Sequence, residues 1–342
     1  MNTELSPVHN HRVGIAAEFF PDGGTIYDDI GLAQFDAWQM PWQALESEDL
    51  TAAPGAQSAH SLLVLRQRVT EEYLQAMPDL LHVARWGAGL DRIDLDACTE
   101  RGVLVTTTPE GGRRPVASAA LALLLALAHQ IPARDRIVRE ARWADRNKVM
   151  GLSVADMTIG IIGLGTIGAE FARLVAPFGA DLVSPAAHTR PEAAAELGVR
   201  RVEFDELLAT ADAVVLTCPL TAQTRGLISA EALAAMKSTA VLVNVARGGV
   251  VDEPALIEAL EEGVIAAAGL DVFATEPLPA DSPLIGLQNV ILAPHSLAWG
   301  PEIVDGNRRQ ALASIYTVAG GGIPEAVANP AVLAHPRWSV RA

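Results

Sequence analysis

Lysine is nearly absent from this 342-residue chain; it occurs only at positions 148 and 237, and arginine carries almost all the positive charge. The formal net charge of −16 argues against nucleic acid and anionic membrane surfaces as partners and leaves small anionic molecules open, because a local pocket can oppose the global sign. Cysteine is scarce as well. Cys98 and Cys218 alone cannot form a disulfide framework, no metal-ligand spacing is visible, and both read as small buried apolar residues. The longest apolar run, Val116 to Ala128, is interrupted by Ser118 and falls short of the roughly 20 residues that span a bilayer. The opening stretch MNTELSPVHNHR has no apolar core of a secretory signal. The expectation is a soluble cytoplasmic protein without a membrane partner.

Half the residues are hydrophobic, enough for large cores in about two domains. Short β-branched runs alternate with alanine-rich helical stretches, without repeats or low-complexity tracts. Strands are expected at Val13 to Ala16, Leu62 to Leu65, His82 to Arg85, Leu104 to Thr106, Thr158 to Ile162 and Asp181 to Val183. Four more are expected at Ala213 to Thr217, Ala240 to Val245, Ala266 to Leu270 and Val290 to Ala293. Continuous apolar strands separated by helices imply α/β architecture with parallel sheets covered on both faces. Helices at about Pro115 to Gln130 and Arg134 to Asn147 separate two groups of strands. The forty residues after Pro301 are too few for a domain of their own. The economical division is a discontinuous domain, residues 1–108 and 302–342, with a second doubly wound domain, 109–301, inserted in it.

The inserted part carries a recognisable loop. Thr158-Ile-Gly-Ile-Ile-Gly-Leu-Gly-Thr-Ile-Gly168 is a strand running into GxGxxG and then a helical pattern. In that context Gly163 permits the tight turn, Gly165 lets the backbone approach a pyrophosphate, and Gly168 lets the helix pack on its strand. Thr166 and Ile167 open the helix, whose N-terminus favours phosphate. An NAD site usually has an acid at the end of the next strand, about 20 residues on. From Val183 to Arg190 there is none, and Asp181 lies too early. Ser184, His188, Thr189 and Arg190 stand there instead, which favours NADP over NAD as the cofactor.

His295 follows the apolar run Val290 to Ala293 and Pro294, and a lone histidine in such a place is ordinarily structural. Its neighbours in the sequence change that reading. GIIGLGTIG, TCPLTAQTRGLI (217–228), LVNVARGGVVDEPAL (242–256), AAGLDVFATEPLP (267–279) and APHSLAW (293–299) together resemble the D-isomer-specific 2-hydroxyacid dehydrogenases, including glyoxylate/hydroxypyruvate reductases and phosphoglycerate dehydrogenases. The resemblance covers nearly the whole chain. It implies a Rossmann cofactor domain inserted in a flavodoxin-like substrate domain, and a homodimer. Carried over motif by motif, the catalytic residues are Arg247, Glu276 and His295.

The residue types suit reduction of a 2-keto acid. Imidazolium can give a proton to the carbonyl oxygen, since histidine titrates near ~6.5. A carboxylate beside it favours the charged ring. An arginine fork binds the substrate carboxylate. The resemblance further implies that Thr217, Cys218, Pro219 and Thr224 line the adenine side of the cofactor. It implies that Val245, Ala246 and Asp271 lie near the nicotinamide, beside Arg247 and His295. Trp86, Ala88 and Gly89 of RWGAGLDRID, with Arg66, Arg247, His295 and Trp299, are the implied substrate contacts. The Arg113-Arg114 pair has no assigned role. The rival readings are a formate or phosphite dehydrogenase-like oxidation, the former disfavoured by Glu276 where glutamine is expected, and a nucleotide-sensing corepressor-like binding module.

Overall fold

The computed structural model describes residues 7–21, 24–27 and 29–339. The chain divides into two compact units, Met1–Gly112 with Gly300–Ala342, and Arg113–Trp299. The first is built on β1 (Val13–Ile15), β2 (Trp42–Ala44), β3 (Ser61–Val64), β4 (His82–Arg85) and β5 (Leu104–Thr106), in the order β2-β1-β3-β4-β5 with every pair parallel. This is the flavodoxin-like order, whose switch point lies between β1 and β3. Leu62, Leu63 and Val64 are all fully buried, as strands covered on both faces must be.

The second unit holds β6 (Thr158–Ile162), β7 (Asp181–Pro185), β8 (Arg200–Val202), β9 (Ala213–Leu216), β10 (Val241–Asn244), β11 (Ala267–Leu270) and β12 (Val290–Leu292). Their order is β12-β11-β10-β9-β6-β7-β8, again all parallel. The strand order reverses at β6, where the glycine loop begins. Two strands were not expected from the sequence, β2 and β8. Both lie at sheet edges, are three residues long and are partly exposed. An edge strand can lack the continuous apolar run that marks a central parallel strand, as these two do; the other edges, β5 and β12, keep it.

The long helix spans Pro109–Ala128, starting six residues earlier than expected. Proline is tolerated at a first helical position. Its first turn also fits closely against the helix Pro301–Ala319: a Cβ built on Gly306 would lie 2.6 Å from the Gly111 Cα. With 20 residues this helix is long and apolar enough to cross a membrane. Here it buries Ala117, Ala120, Leu123, Leu124 and Leu127 against Ile159 and Ile161 in the core of the second unit. The expected helix at Arg134 to Asn147 is instead Ile131–Arg139 followed by a separate 3-10 turn, Trp143–Asn147. Ala141, at φ 54°, breaks it.

The C-terminal segment is stitched to β5 of the first unit. Asn329 Oδ1 accepts from the Val105 N–H, and its amide donates to the Val103 carbonyl and Thr99 Oγ1. The Trp338 indole is fully buried and donates to the Gly102 carbonyl. A buried polar chain crosses β3, β4 and β5: His11 Nε2 to Ser61 Oγ at 2.7 Å, Ser61 Oγ to His82 Nδ1 at 3.1 Å, and His82 Nε2 to Thr106 Oγ1 at 2.8 Å. Burial, reinforced by the charge of His11, pushes His82 down to about 3. Between about pH 6.5 and 3 the unfolded chain therefore binds a proton that the folded chain does not. Stability should fall as pH drops through that window, by at most about 1.4 kcal/mol per pH unit from this group, with no contribution above it. Urea unfolding from pH 7 to 4 checks this, and His82→Gln should flatten the slope.

Candidate active site

Three neighbouring strands end in register, with Asn244 of β10 beside Leu270 of β11 and Leu270 beside Leu292 of β12. The residues that follow them are held by side chain to backbone bonds. Asn244 Oδ1 accepts from the Ala246 N–H at 3.0 Å, and its Nδ2 donates to the Arg247 carbonyl at 3.0 Å. Asp271 accepts from the N–H groups of Ser296 and Leu297 at 2.9 and 3.2 Å. His295, at φ 54°, occupies the left-handed region that histidine enters more readily than most side chains. The turn after β12 is thus aimed by the aspartate after β11.

In this turn His295 Nδ1 meets Glu276 Oε2 at 2.8 Å, and Glu276 Oε1 accepts from the Phe273 N–H at 3.1 Å. The imidazole is half-exposed, and Nε2 lies at the edge of the ring away from the carboxylate. Burial is the largest influence on Glu276 and pushes its carboxyl up. The His295 hydrogen bond and charge, the Phe273 N–H and the Arg247 charge together outweigh it and hold the group below the usual carboxylate range. Asp271 is shifted the other way: burial raises it, against the N–H groups of Leu297 and Ser296 and the charge of His295. Arg247, whose Nη1 donates to the Ala246 carbonyl at 2.7 Å, therefore shares this cluster electrostatically. Glu253, equally acidic in the sequence, accepts instead from the Ala274 N–H at 2.9 Å. Leu297 and Trp299 are exposed beside the histidine.

On the same sheet the glycine loop follows β6. Gly163 has φ 105°, and a Cβ on it would lie 2.5 Å from the Cys218 N. A Cβ on Gly168 would lie 2.1 Å from the Gly163 carbonyl oxygen, whereas one on Gly165 would have no neighbour within 4 Å. The open space over Gly165, at the start of the helix Thr166–Val175, is the cradle a pyrophosphate requires. Ile167 lies in the first turn of that helix. Thr217 Oγ1 donates to the Gly163 carbonyl at 2.8 Å, and Thr224 Oγ1 to the Pro219 carbonyl at 2.7 Å, so both hydroxyls brace loops. Val245 and Ala246 are buried beside Arg247. Cys218 and Cys98 are buried thiols, the latter pushed up to about 12 by burial and the nearby Asp94 and Glu71 charges.

Beyond β7 the picture is mixed. Asp181 stands at the far end of the strand from the glycine loop and pairs with Arg200 at 3.0 Å. Ser184 Oγ donates to the Ile161 carbonyl and contacts Thr189 Oγ1, both at 2.8 Å, and both residues are buried. Those two hydroxyls secure the turn rather than project from it. His188 and Arg190 are exposed. Sequence reading missed Arg201 of β8, whose Nη2 donates to the Ala186 carbonyl at 2.6 Å; only the unexpected edge strand brings it there.

In the first unit, Arg66 is exposed just after β3. The Trp86 ring is core, buried beside Phe19 and stacked on Tyr27, so its indole lines no open surface. Ala88 and Gly89 follow Gly87, at φ 119°, in the turn after β4, and Arg85 Nε donates to the Gly89 carbonyl. Arg113 and Arg114 gain a role: both meet Glu170, a nearly buried carboxylate on the helix after the glycine loop. Glu170 was not singled out in the sequence.

Residues 121–296 match the family model for the D-isomer specific 2-hydroxyacid dehydrogenase NAD binding domain. The chain is 44% identical over 281 residues to the D-3-phosphoglycerate dehydrogenase of Mycobacterium tuberculosis, covering 81% of this chain and 52% of that one. It is 40% identical over 273 residues to the glyoxylate reductase of Korarchaeum cryptofilum, covering 79% of this chain and 82% of that one. An NADPH-dependent glyoxylate/hydroxypyruvate reductase of Sinorhizobium meliloti, solved with NADP and malonate, superposes with TM-score 0.77 at 28% identity, covering 89% of this chain and 92% of that one. The chain belongs to the D-isomer-specific 2-hydroxyacid dehydrogenase family. It spans about half the length of the phosphoglycerate dehydrogenases it matches.

Gly248 joins the site's two carriers. A Cβ on it would lie 1.8 Å from the Phe273 carbonyl carbon, so the turn holding Arg247 touches the loop holding Glu276 backbone to backbone. Gly248→Ala must part them. Turnover in the reaction proposed below should fall about 100-fold for an ångström of displacement. Gly249→Ala is the control, since its Cβ would meet only the Leu220 and Arg225 side chains, at 3.2 Å or more. Steady-state kinetics of the two variants make the comparison.

Proposed function

We propose that the protein is an NAD(P)-dependent D-2-hydroxyacid dehydrogenase acting as a 2-keto acid reductase of glyoxylate/hydroxypyruvate type, with NADP preferred. The observation that carries this reading is the 2.8 Å contact of His295 with Glu276, at the carboxyl end of the same sheet that presents the glycine loop. Gly163, Gly165, Thr166, Ile167 and Gly168 would hold the dinucleotide, which when bound supplies the hydride. Glu276, held below the usual carboxylate range, accepts from Nδ1 and orients the ring so that Nε2 faces away from it. Nε2 then gives its proton to the substrate carbonyl oxygen as the alcohol forms, and takes one back in the reverse direction. Arg247 binds the substrate carboxylate and draws electron density from the carbonyl. Arg66 and the Ala88–Gly89 turn are further substrate contacts, and Trp299 an apolar one.

The preference for NADP rests on the absence of a carboxylate from Val183 to Arg190 and on the exposed His188, Arg190 and Arg201 around that turn. The bound NADP of the Sinorhizobium enzyme supports it. The test is a panel of 2-keto acids, glyoxylate and hydroxypyruvate included, followed at the nicotinamide absorbance with NADPH and NADH in parallel. Turnover is expected with NADPH at the higher kcat/KM, and none in His295→Ala. A clear NADH preference would overturn the cofactor assignment. Indifference to His295→Ala would overturn the mechanism.

A homodimer is the proposed assembly. Ile131, Val138, Trp143, Met150 and Leu152 are all exposed within one short stretch, Trp143 by 64% and Met150 by 82%. They adjoin the helix Pro109–Ala128 and an apolar cavity of about 660 Å³ lined by Leu127, Leu152, Met157, Val241, Leu260 and Ile291. Exposed apolar surface of this concentration marks an interface. Sedimentation equilibrium should give twice the 36.0 kDa chain mass, and Trp143→Asp should shift it towards one.

A further inference from the structure

Glu18 follows β1, and the segment Leu65–Gln67 follows β3. Glu18 Oε1 accepts the backbone N–H groups of Leu65, Arg66 and Gln67 at 2.6, 2.7 and 2.8 Å, and Oε2 accepts from Arg66 at 2.6 Å. Successive N–H groups converging on one point form an anion nest. This nest lies at the β1/β3 switch point, where a sheet of this order ordinarily receives its ligand. The chain fills it with its own carboxylate. The turn is pinned elsewhere too: Gln67 Nε2 donates to the Glu48 carbonyl at 2.9 Å. Arg66 rides on it, exposed, and lines a cavity of about 380 Å³ together with Arg68, Tyr73, Arg92 and the acidic Glu48 and Asp49.

We propose that Glu18 is a positioning residue for substrate recognition: by occupying the nest it fixes the Leu65–Gln67 turn and so sets the guanidinium of Arg66 for the substrate's anionic group. This deepens the 2-keto acid reading and rests on it. Glu18 touches no reacting atom, so its loss should weaken substrate binding and leave the chemical step alone.

The experiment compares Glu18→Ala and Glu18→Gln with the wild type in the full chain. Glu18→Ala should raise KM for the best keto acid of the panel by roughly tenfold or more, the scale of lost charge-assisted hydrogen bonds. Its kcat should stay within about twofold and its affinity for NADPH should not change. Glu18→Gln, which keeps one acceptor, should fall between. Hydrogen exchange should show the amides of residues 65–67 losing protection in the same order. Arg66→Met should raise KM in the wild type and add nothing in Glu18→Ala. If Glu18→Ala does not fold, Glu18→Gln is judged by the same measures. A wild-type chain that reduces no 2-keto acid defeats the functional reading and this one with it. An active wild type whose KM ignores the substitutions, or whose turn stays protected in them, defeats the Glu18 inference alone.

Discussion

The contact between the His295 ring and the Glu276 carboxylate is the interaction on which the candidate site turns. It ties together two turns from different strands, and nearly every neighbouring feature serves its geometry. Asp271 holds the histidine turn through two backbone amides, the Phe273 amide holds the glutamate, and Asn244 shapes the turn that carries Arg247. Burial alone would push the glutamate towards neutrality, and the surrounding donors and cations reverse that tendency. Glu276 is thereby kept as a carboxylate, the form that accepts a hydrogen bond from Nδ1 of the ring.

Both units solve the same problem, how to treat an anion at the end of a parallel strand, in opposite ways. In the second unit the loop after β6 is stripped of side chains over Gly165 and left open. In the first unit the corresponding nest after β3 is filled by Glu18. One switch point is built to receive a ligand. The other is closed by the chain itself, which converts it from a receptor into a brace.

Much of this was legible in the sequence because parallel strands buried on both faces must be continuously apolar. Ten of the twelve strands announce themselves in that way, and two of the four edge strands, β2 (Trp-Gln-Ala) and β8 (Arg-Arg-Val), do not. The cost of missing β8 was Arg201, which neighbours Ala186 only through that strand. Arg247, Glu276 and His295 stand in motifs, so their convergence in one unit could be anticipated; that Glu276 rather than Glu253 meets the ring could not be read from residue type. Ser184 and Thr189 illustrate the limit from the other side. A serine and a threonine near a phosphate look like ligands, but these two spend their hydroxyls on Ile161 and on each other. Trp86 was an implied substrate contact, but its ring is buried against Phe19 and Tyr27.

The close fit of Gly111 against Gly306 bears on where the chain could be cut and rejoined. The outgoing and returning segments of the first unit lie side by side at that contact, and the buried polar chain and the Trp338 clamp lie within that unit alone. A module bounded by two adjacent ends can be exchanged by recombination at those ends without opening the host's core. The second unit would carry Arg247, Glu276 and His295 with it, so such an exchange trades the glycine loop and these three side chains together, while Glu18 and Arg66 stay with the host.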